Sequence, residues 1–288
     1  MTFAAIAAAT AFSSLGAQQV PGRDLFRFPV GTLAEASALA VSAGGGFWNP
    51  ATIALGPMDR FRFSASALDS PIEQGVTAQL GTAAFRIPRG LTLGLSFAQA
   101  GVGDIPRTDS DPQSLGDGIS YTSTIISGVA AATRGAATAG IAVRRRTGDV
   151  DLASGRATSI DVGAVIDRPA GLPVRGAIAS FLLSPSRALE RATGVAALEG
   201  YLPWAEHDLR AGVSYQHDEG GGNERFVFAS AKAGLLDLRG GIAQESLYGS
   251  TSTRLRLGIG VRYAHYLVGI ARDDGTSGLG ATYQFVLT

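Results

Sequence analysis

Apolar and polar residues alternate along most of the chain, most clearly near its C-terminal end. From Arg254 to Tyr263 the odd-numbered positions are apolar and the even-numbered ones are Arg or Gly, and similar alternation returns over residues 265–273 and 278–287. Successive side chains of a β-strand point to opposite faces, so each run has one apolar face and one face of polar or small residues. We therefore expect outward-facing Tyr266, Val268, Ile270, Tyr283 and Phe285, and inward-facing Gly258, Gly260, Thr282 and Gln284.

Runs of this kind recur from residue 59 onward and predict about fourteen strands. Their approximate bounds are 59–67, 75–87, 90–101, 118–133, 136–147, 156–168, 173–184, 190–201, 207–217, 223–234, 236–246, 252–263, 265–273 and 278–287. The strands of a soluble β-sandwich would show the same alternation, so the lengths of the connections are needed to distinguish a sandwich from a membrane barrel. Short connections near residues 88–89, 134–135, 235–236 and 264–265 alternate with longer polar ones over 101–117, 147–155, 218–223, 246–252 and 273–277. Short turns at one end and longer loops at the other favour an all-β fold, a transmembrane antiparallel β-barrel.

The amino-acid composition excludes several other classes of protein. The chain has 288 residues, no cysteine, a mean hydropathy of +0.18 and a formal charge of zero. Beyond residue 20 no run reaches the roughly 18 apolar residues of a membrane helix, so a membrane protein of this sequence would be a barrel. Nucleic-acid binding is disfavoured because phosphate contacts need a basic excess. Without cysteine there can be neither a disulfide nor a lipid-anchored N-terminal cysteine.

The pattern divides the chain into three parts. Residues 1–17 have an apolar run followed by small residues, which predicts a signal peptide, although the Ala-rich stretch could instead form a buried helix. Residues 59–288 form the predicted barrel. Residues 18–58 precede the first strand and are predicted to lie within or beneath the lumen as a plug, with a short helix over 32–41.

The end of this segment carries a recognisable motif. It reads Ala43-Gly44-Gly45-Gly46-Phe47-Trp48-Asn49-Pro50-Ala51-Thr52-Ile53-Ala54-Leu55. This resembles the FadL and PorV group of outer-membrane proteins, in which an Ala/Gly-rich stretch leads into Asn-Pro-Ala just before the first strand. Thr52 departs from the resemblance, because the group more often has Gly there. The FadL branch implies a 14-stranded barrel with a plug that passes hydrophobic compounds, and the PorV branch implies a partner of a secretion system.

Two sets of candidate functional residues follow. The plug or gate candidates are Gly44, Gly45, Gly46, Trp48, Asn49 and Pro50. Three successive glycines permit backbone angles closed to other residues, and Pro50 disfavours helix at Asn49. The lumen-lining basic candidates are Arg60, Arg62, Arg254, Arg256 and Arg262. These arginines either attract an anionic headgroup or form a structural network with Asp161, Glu199, Asp237 and Glu245.

No catalytic, metal or cofactor motif is recognisable, because the three histidines are scattered and no ligand spacing occurs. We therefore predict a protein of the Gram-negative outer membrane without enzymatic activity, which passes hydrophobic or amphipathic small molecules. The alternatives are a PorV-like docking or shuttle component of a secretion system and a closed structural barrel. Expected partners are outer-membrane lipids, a hydrophobic ligand and the barrel insertion machinery, which would read the final strand with Tyr283 and Phe285.

Overall fold

A computed structural model describes most of the chain. The described residues are 25–26, 29–56, 58, 60–71, 75–108, 114–183, 192–202, 208–219, 222–247, 249–274 and 280–288. The predicted signal peptide (1–17) and the start of the predicted plug lie outside them. Within them, no helix has the length and apolar character needed to cross a membrane.

Fourteen antiparallel strands form one closed barrel. They are β1 (Phe61–Asp69), β2 (Val76–Ile87), β3 (Leu91–Thr108), β4 (Ser114–Arg134), β5 (Ala137–Val150), β6 (Ala153–Asp167), β7 (Val174–Phe181), β8 (Thr193–Leu202), β9 (Asp208–Asp218), β10 (Gly222–Ala233), β11 (Leu236–Leu247), β12 (Ser250–Tyr263), β13 (Tyr266–Asp273) and β14 (Thr282–Leu287). Each strand pairs with its neighbours in sequence, and β1 pairs with β14 from Ala65↔Leu287 to Asp69↔Tyr283. Closure removes the sheet edges that would otherwise leave backbone groups unpaired. The predicted fold class and strand number are confirmed.

The two faces of the wall follow the predicted alternation. Tyr266, Val268, Ile270, Tyr283 and Phe285 point outward with 38 to 65 % of their surface exposed. Thr282 and Gln284 are buried on the inner face. A side chain added at Gly258 or Gly260 would meet Leu33 inside the barrel. The outer face is therefore an apolar band, and the inner face is lined by small and polar residues.

The connections differ in part from the prediction. We call the end at which β1 begins and β14 ends the terminal rim. Turns 88–90, 135–136, 234–235 and 264–265 all lie there, as predicted. The predicted loops over 101–117 and 147–155 are wrong, because β3 and β4 continue through most of the first and a two-residue turn joins β5 to β6. Ladder hydrogen bonds do not require an apolar face, so polar residues can extend these strands.

Residues 29–56, here called the inner segment, lie inside the barrel. Every residue from 29 to 54 is buried except Glu35, Ser37 and Val41, which are half-buried. The segment contains two short 3-10 turns, Ser37–Leu39 against β7 and β8 and Pro50–Ala54 against β2 to β6. The short helix predicted over 32–41 is wrong, because Leu33 and Ala34 have φ angles of 52° and 60°, outside the right-handed helical region.

Candidate functional site

All six predicted gate residues lie in the inner segment and are buried. Gly46 has a φ of +83°, and a side chain there would collide with Ile53, so both backbone angle and space favour glycine. The Asn49 side chain accepts a hydrogen bond from the Ala51 N–H at 3.0 Å and thereby begins the second 3-10 turn, with Pro50 as its first residue. The role of these residues as a gate remains a prediction.

Trp48 and Asn49 form hydrogen bonds between the later and the earlier half of the inner segment. The Trp48 indole N–H donates to the Val30 carbonyl at 2.8 Å, and the Asn49 amide donates to the Ala38 carbonyl at 2.8 Å. The Gly44 N–H donates to the Gly31 carbonyl at 2.8 Å. Because these bonds join positions 11 to 18 residues apart, the segment is a single folded unit.

Glycines on the wall leave the space that this unit occupies. A side chain at Gly94, Gly140 or Gly163 would overlap atoms of Ile53, Pro50 or Asn49, respectively. On the opposite wall, inward-facing Gly258, Gly260 and Gly269 surround Leu33. The sequence placed Gly258 and Gly260 on the inner face but contained no signal for what they contact.

Five arginines of the wall hold the inner segment by its backbone. Arg62 donates to the carbonyls of Ile53 (3.1 Å) and Leu55, and Arg86 to those of Met58 (2.8 Å) and Ala54 (3.2 Å). The other three donor–acceptor pairs are Arg144 with Phe47, Arg175 with Leu39, and Arg239 with Thr32. Hydrogen bonds from a charged donor are about twice as strong as neutral ones. Only Arg62 was predicted to lie here, although all five have the parity of the inner face.

The remaining predicted arginines are paired with carboxylates. Arg256 contacts Asp273 at 2.7 Å and Arg254 contacts Glu245 at 3.2 Å. Arg262 contacts Asp237 at 2.9 Å. These pairs favour the structural network over an open anion site.

Arg60 differs from the other predicted arginines. It lies just before β1, and its side chain is exposed instead of being buried in the lumen. In β1 the even-numbered side chains face inward. This alternation does not extend to Arg60, because β1 begins only at Phe61.

An aromatic cluster lies on the side of the inner segment that faces away from the terminal rim. It consists of Phe26, Phe47, Trp48 and Phe181, whose neighbouring ring centroids are 4.8 to 6.0 Å apart. Arg144 is buried beside it, 5.2 Å from the ring centroids of both Phe47 and Phe181, and is paired with the buried Asp161. The cluster therefore links the wall to the inner segment through apolar and cation–π contacts.

Cavities of the described residues lie both inside the barrel and on its outer surface. A polar cavity of about 40 Å³ lies between Glu35, Glu199, Lys232 and Arg262. Two larger apolar depressions, of about 490 and 620 Å³, open between outward-facing side chains of β6 to β9 and of β1 to β5.

Solved structures share this architecture. The CymD monoaromatic hydrocarbon channel is 11 % identical with a TM-score of 0.67, over 90 % of this chain and 95 % of that one. A TodX deltaS2S3 mutant, also a monoaromatic hydrocarbon channel, is 8 % identical with a TM-score of 0.65, over 89 % and 97 %. A FadL homologue from Pseudomonas aeruginosa is 12 % identical with a TM-score of 0.54, over 90 % and 97 %.

This chain has the FadL-type barrel fold. The resemblance inferred from residues 43–55 is thus confirmed at the level of fold. The sequence matches no protein-family model, and no curated protein matches it. The FadL-type barrel and its buried inner segment together define the candidate site.

Proposed function

We propose that the chain is a non-enzymatic outer-membrane channel through which hydrophobic or amphipathic small molecules pass when the inner segment moves. The observation that carries this proposal is a FadL-type barrel whose lumen is filled by a segment fitted to wall glycines and held by wall arginines. CymD and TodX, which share the fold, are named as monoaromatic hydrocarbon channels.

The outer surface supports a membrane location. Outward-facing positions around the barrel form an apolar band that includes Phe63, Leu95, Val227 and Ile259, each at least 44 % exposed. Such a band would be costly in water over a whole circumference and is the expected surface toward lipid. Because the short turns of such barrels face the periplasm, we assign the terminal rim to that side.

The inner segment supports a gated path. Its carbonyls accept hydrogen bonds from Arg62, Arg86, Arg144, Arg175 and Arg239, so non-covalent contacts hold it against the wall. A solute that enters from the outer side would meet the aromatic cluster, whose apolar rings favour a hydrophobic body. Displacement of the segment, which carries Phe47 and Trp48, would then open a path to the terminal rim.

Deleting residues 18–50 tests the gate. We expect the folded deletion variant to conduct more current than the full chain in planar bilayers, because the lumen loses most of its filling. Heat-modifiable gel mobility serves as the control that the barrel has folded. A folded variant with unchanged conductance would contradict the gate and favour the closed structural barrel.

The chemical class of the transported compound needs a separate measurement. Mass spectrometry of the purified full chain should detect a copurifying hydrophobic or amphipathic compound. Proteoliposomes containing the chain should take up a monoaromatic hydrocarbon faster than empty liposomes. Equal uptake by both would count against transport and leave the secretion-system role and the closed structural barrel as the alternatives.

A further inference from the structure

The terminal rim carries an arc of exposed arginines. Arg60 precedes β1, Arg89 lies in the β2–β3 turn, Arg134 ends β4 and Arg168 follows β6, and all four side chains are exposed. We call these four residues the basic arc. They occupy the successive rim positions from β1 to β7, whereas the described turns at 234–235 and 264–265 carry only His265 as a titratable residue.

The basic arc differs from the arginines inside the barrel. Inward-facing Arg256 and Arg262 have carboxylate partners, and Arg62 and Arg86 donate to backbone carbonyls. In the part of the chain that the structure describes, no residue of the arc forms an ion pair with a carboxylate. Arg168 lies 4.1 Å from the Tyr201 ring centroid, which orders it but leaves its charge uncompensated. The arc therefore presents four positive charges to its surroundings.

Turn geometry alone does not explain these arginines. Arg89 and Arg168 have φ angles of 73° and 48°, in the left-handed region that suits glycine or asparagine better than arginine.

The basic arc lies directly beside the apolar band of the outer surface, and this position indicates which part of the membrane surrounds it. Arg60 directly precedes Phe61, which is 62 % exposed on the outer face. Arg134 pairs with Ala137 across a two-residue turn, so it cannot extend far from the wall. Arg168 is two residues from the outward-facing Ile166. Charged heads so close to the apolar band lie at the level of lipid headgroups, where arginine side chains commonly reach.

We propose that the basic arc binds the phosphate groups of anionic phospholipids in the leaflet at the terminal rim. A guanidinium matches phosphate oxygens with two parallel hydrogen bonds. Each basic residue near an anionic bilayer surface strengthens attraction by about fivefold. A lipid fits better than an acidic protein, because the charges follow the membrane plane around half of the barrel and each lies within two residues of a strand.

Native mass spectrometry of the full chain tests this in micelles containing equal amounts of palmitoyl-oleoyl phosphatidylglycerol and phosphatidylcholine. We expect the wild type to retain more phosphatidylglycerol. The variant R60Q/R89Q/R134Q/R168Q should lose at least tenfold of that preference, given about fivefold for each charge. The corresponding variant with four lysines should keep most of it, because the charges remain.

R145Q/R225Q is the matched control, because it removes two exposed, outward-facing arginines distant from the terminal rim. It should retain most of the preference. A wild type without preference, or a glutamine variant with an unchanged one, would overturn the proposal and leave an acidic protein as the partner to test. Loss that follows R145Q/R225Q instead of the rim variant would also overturn it. Heat-modifiable mobility shows that each variant has folded.

Discussion

Substituting valine for Gly163 should loosen the inner segment while leaving the barrel intact. Gly163 lies in β6 with its inner face against the inner segment, where a Cβ would overlap the Asn49 side-chain oxygen and lie 3.1 Å from Pro50 Cδ. The backbone of β6 is unstrained there, and valine suits a strand better than glycine does. The wall should therefore keep its pairing, and Asn49 has to move.

The cost of that movement can be worked out from the bonds of Asn49. Its displacement breaks the 2.8 Å bond to the Ala38 carbonyl and the 3.0 Å bond from the Ala51 N–H. Each of these buried backbone groups then lacks a partner, at about 1–3 kcal/mol per group. The two together give roughly 2–6 kcal/mol, and even 2 kcal/mol changes the ratio of displaced to docked segment about thirtyfold.

Planar-bilayer recordings measure the effect as conductance or open probability. G128V is the matched control, because Gly128 lies in β4 and no atom stands within 4 Å of an added Cβ. We expect G163V to conduct more than the wild type and G128V to resemble it. A G163V barrel that folds, by heat-modifiable mobility, and conducts like the wild type would refute the inference that the fit of Asn49 keeps the lumen closed.

Two further substitutions probe assembly and the wall. Phe285→Asp places a charge on the outer face of β14, where the energetic penalty for Asp is modest, so its expected disappearance from outer-membrane fractions would reflect a lost insertion signal. Normal insertion in cells would exclude that role for the last strand. Arg144→Met leaves Asp161 buried without its partner and should destabilise the fold by about 3–5 kcal/mol in urea unfolding. Arg144→Met/Asp161→Asn should recover part of that loss, and a single variant as stable as the wild type would show that the pair is not needed.

The alternation of residues was sufficient to predict the wall. Residues such as Leu257, Ile259 and Val261 could be placed on the outer face from parity alone, because a strand has a period of two and lipid favours apolar side chains. Closure followed from the same pattern, since a barrel in lipid leaves no strand edge unpaired. The polar ends of the β3–β4 and β5–β6 hairpins escaped prediction, because residues 102–117 and 148–155 carry no regular apolar face to mark them as strand.

The interior was decided by tertiary structure. Parity places Arg239 and Gly163 on the inner face, but it does not predict which residues they contact. Arg239 bonds to Thr32, 207 residues earlier, and Gly163 packs on Asn49, 114 residues earlier. Such contacts depend on how the irregular inner segment folds within the closed ring, and no local period specifies that path. The sequence by itself therefore determined a barrel with a lipid-facing and a lumen-facing side, and only the folded chain determined which lumen residues hold the inner segment.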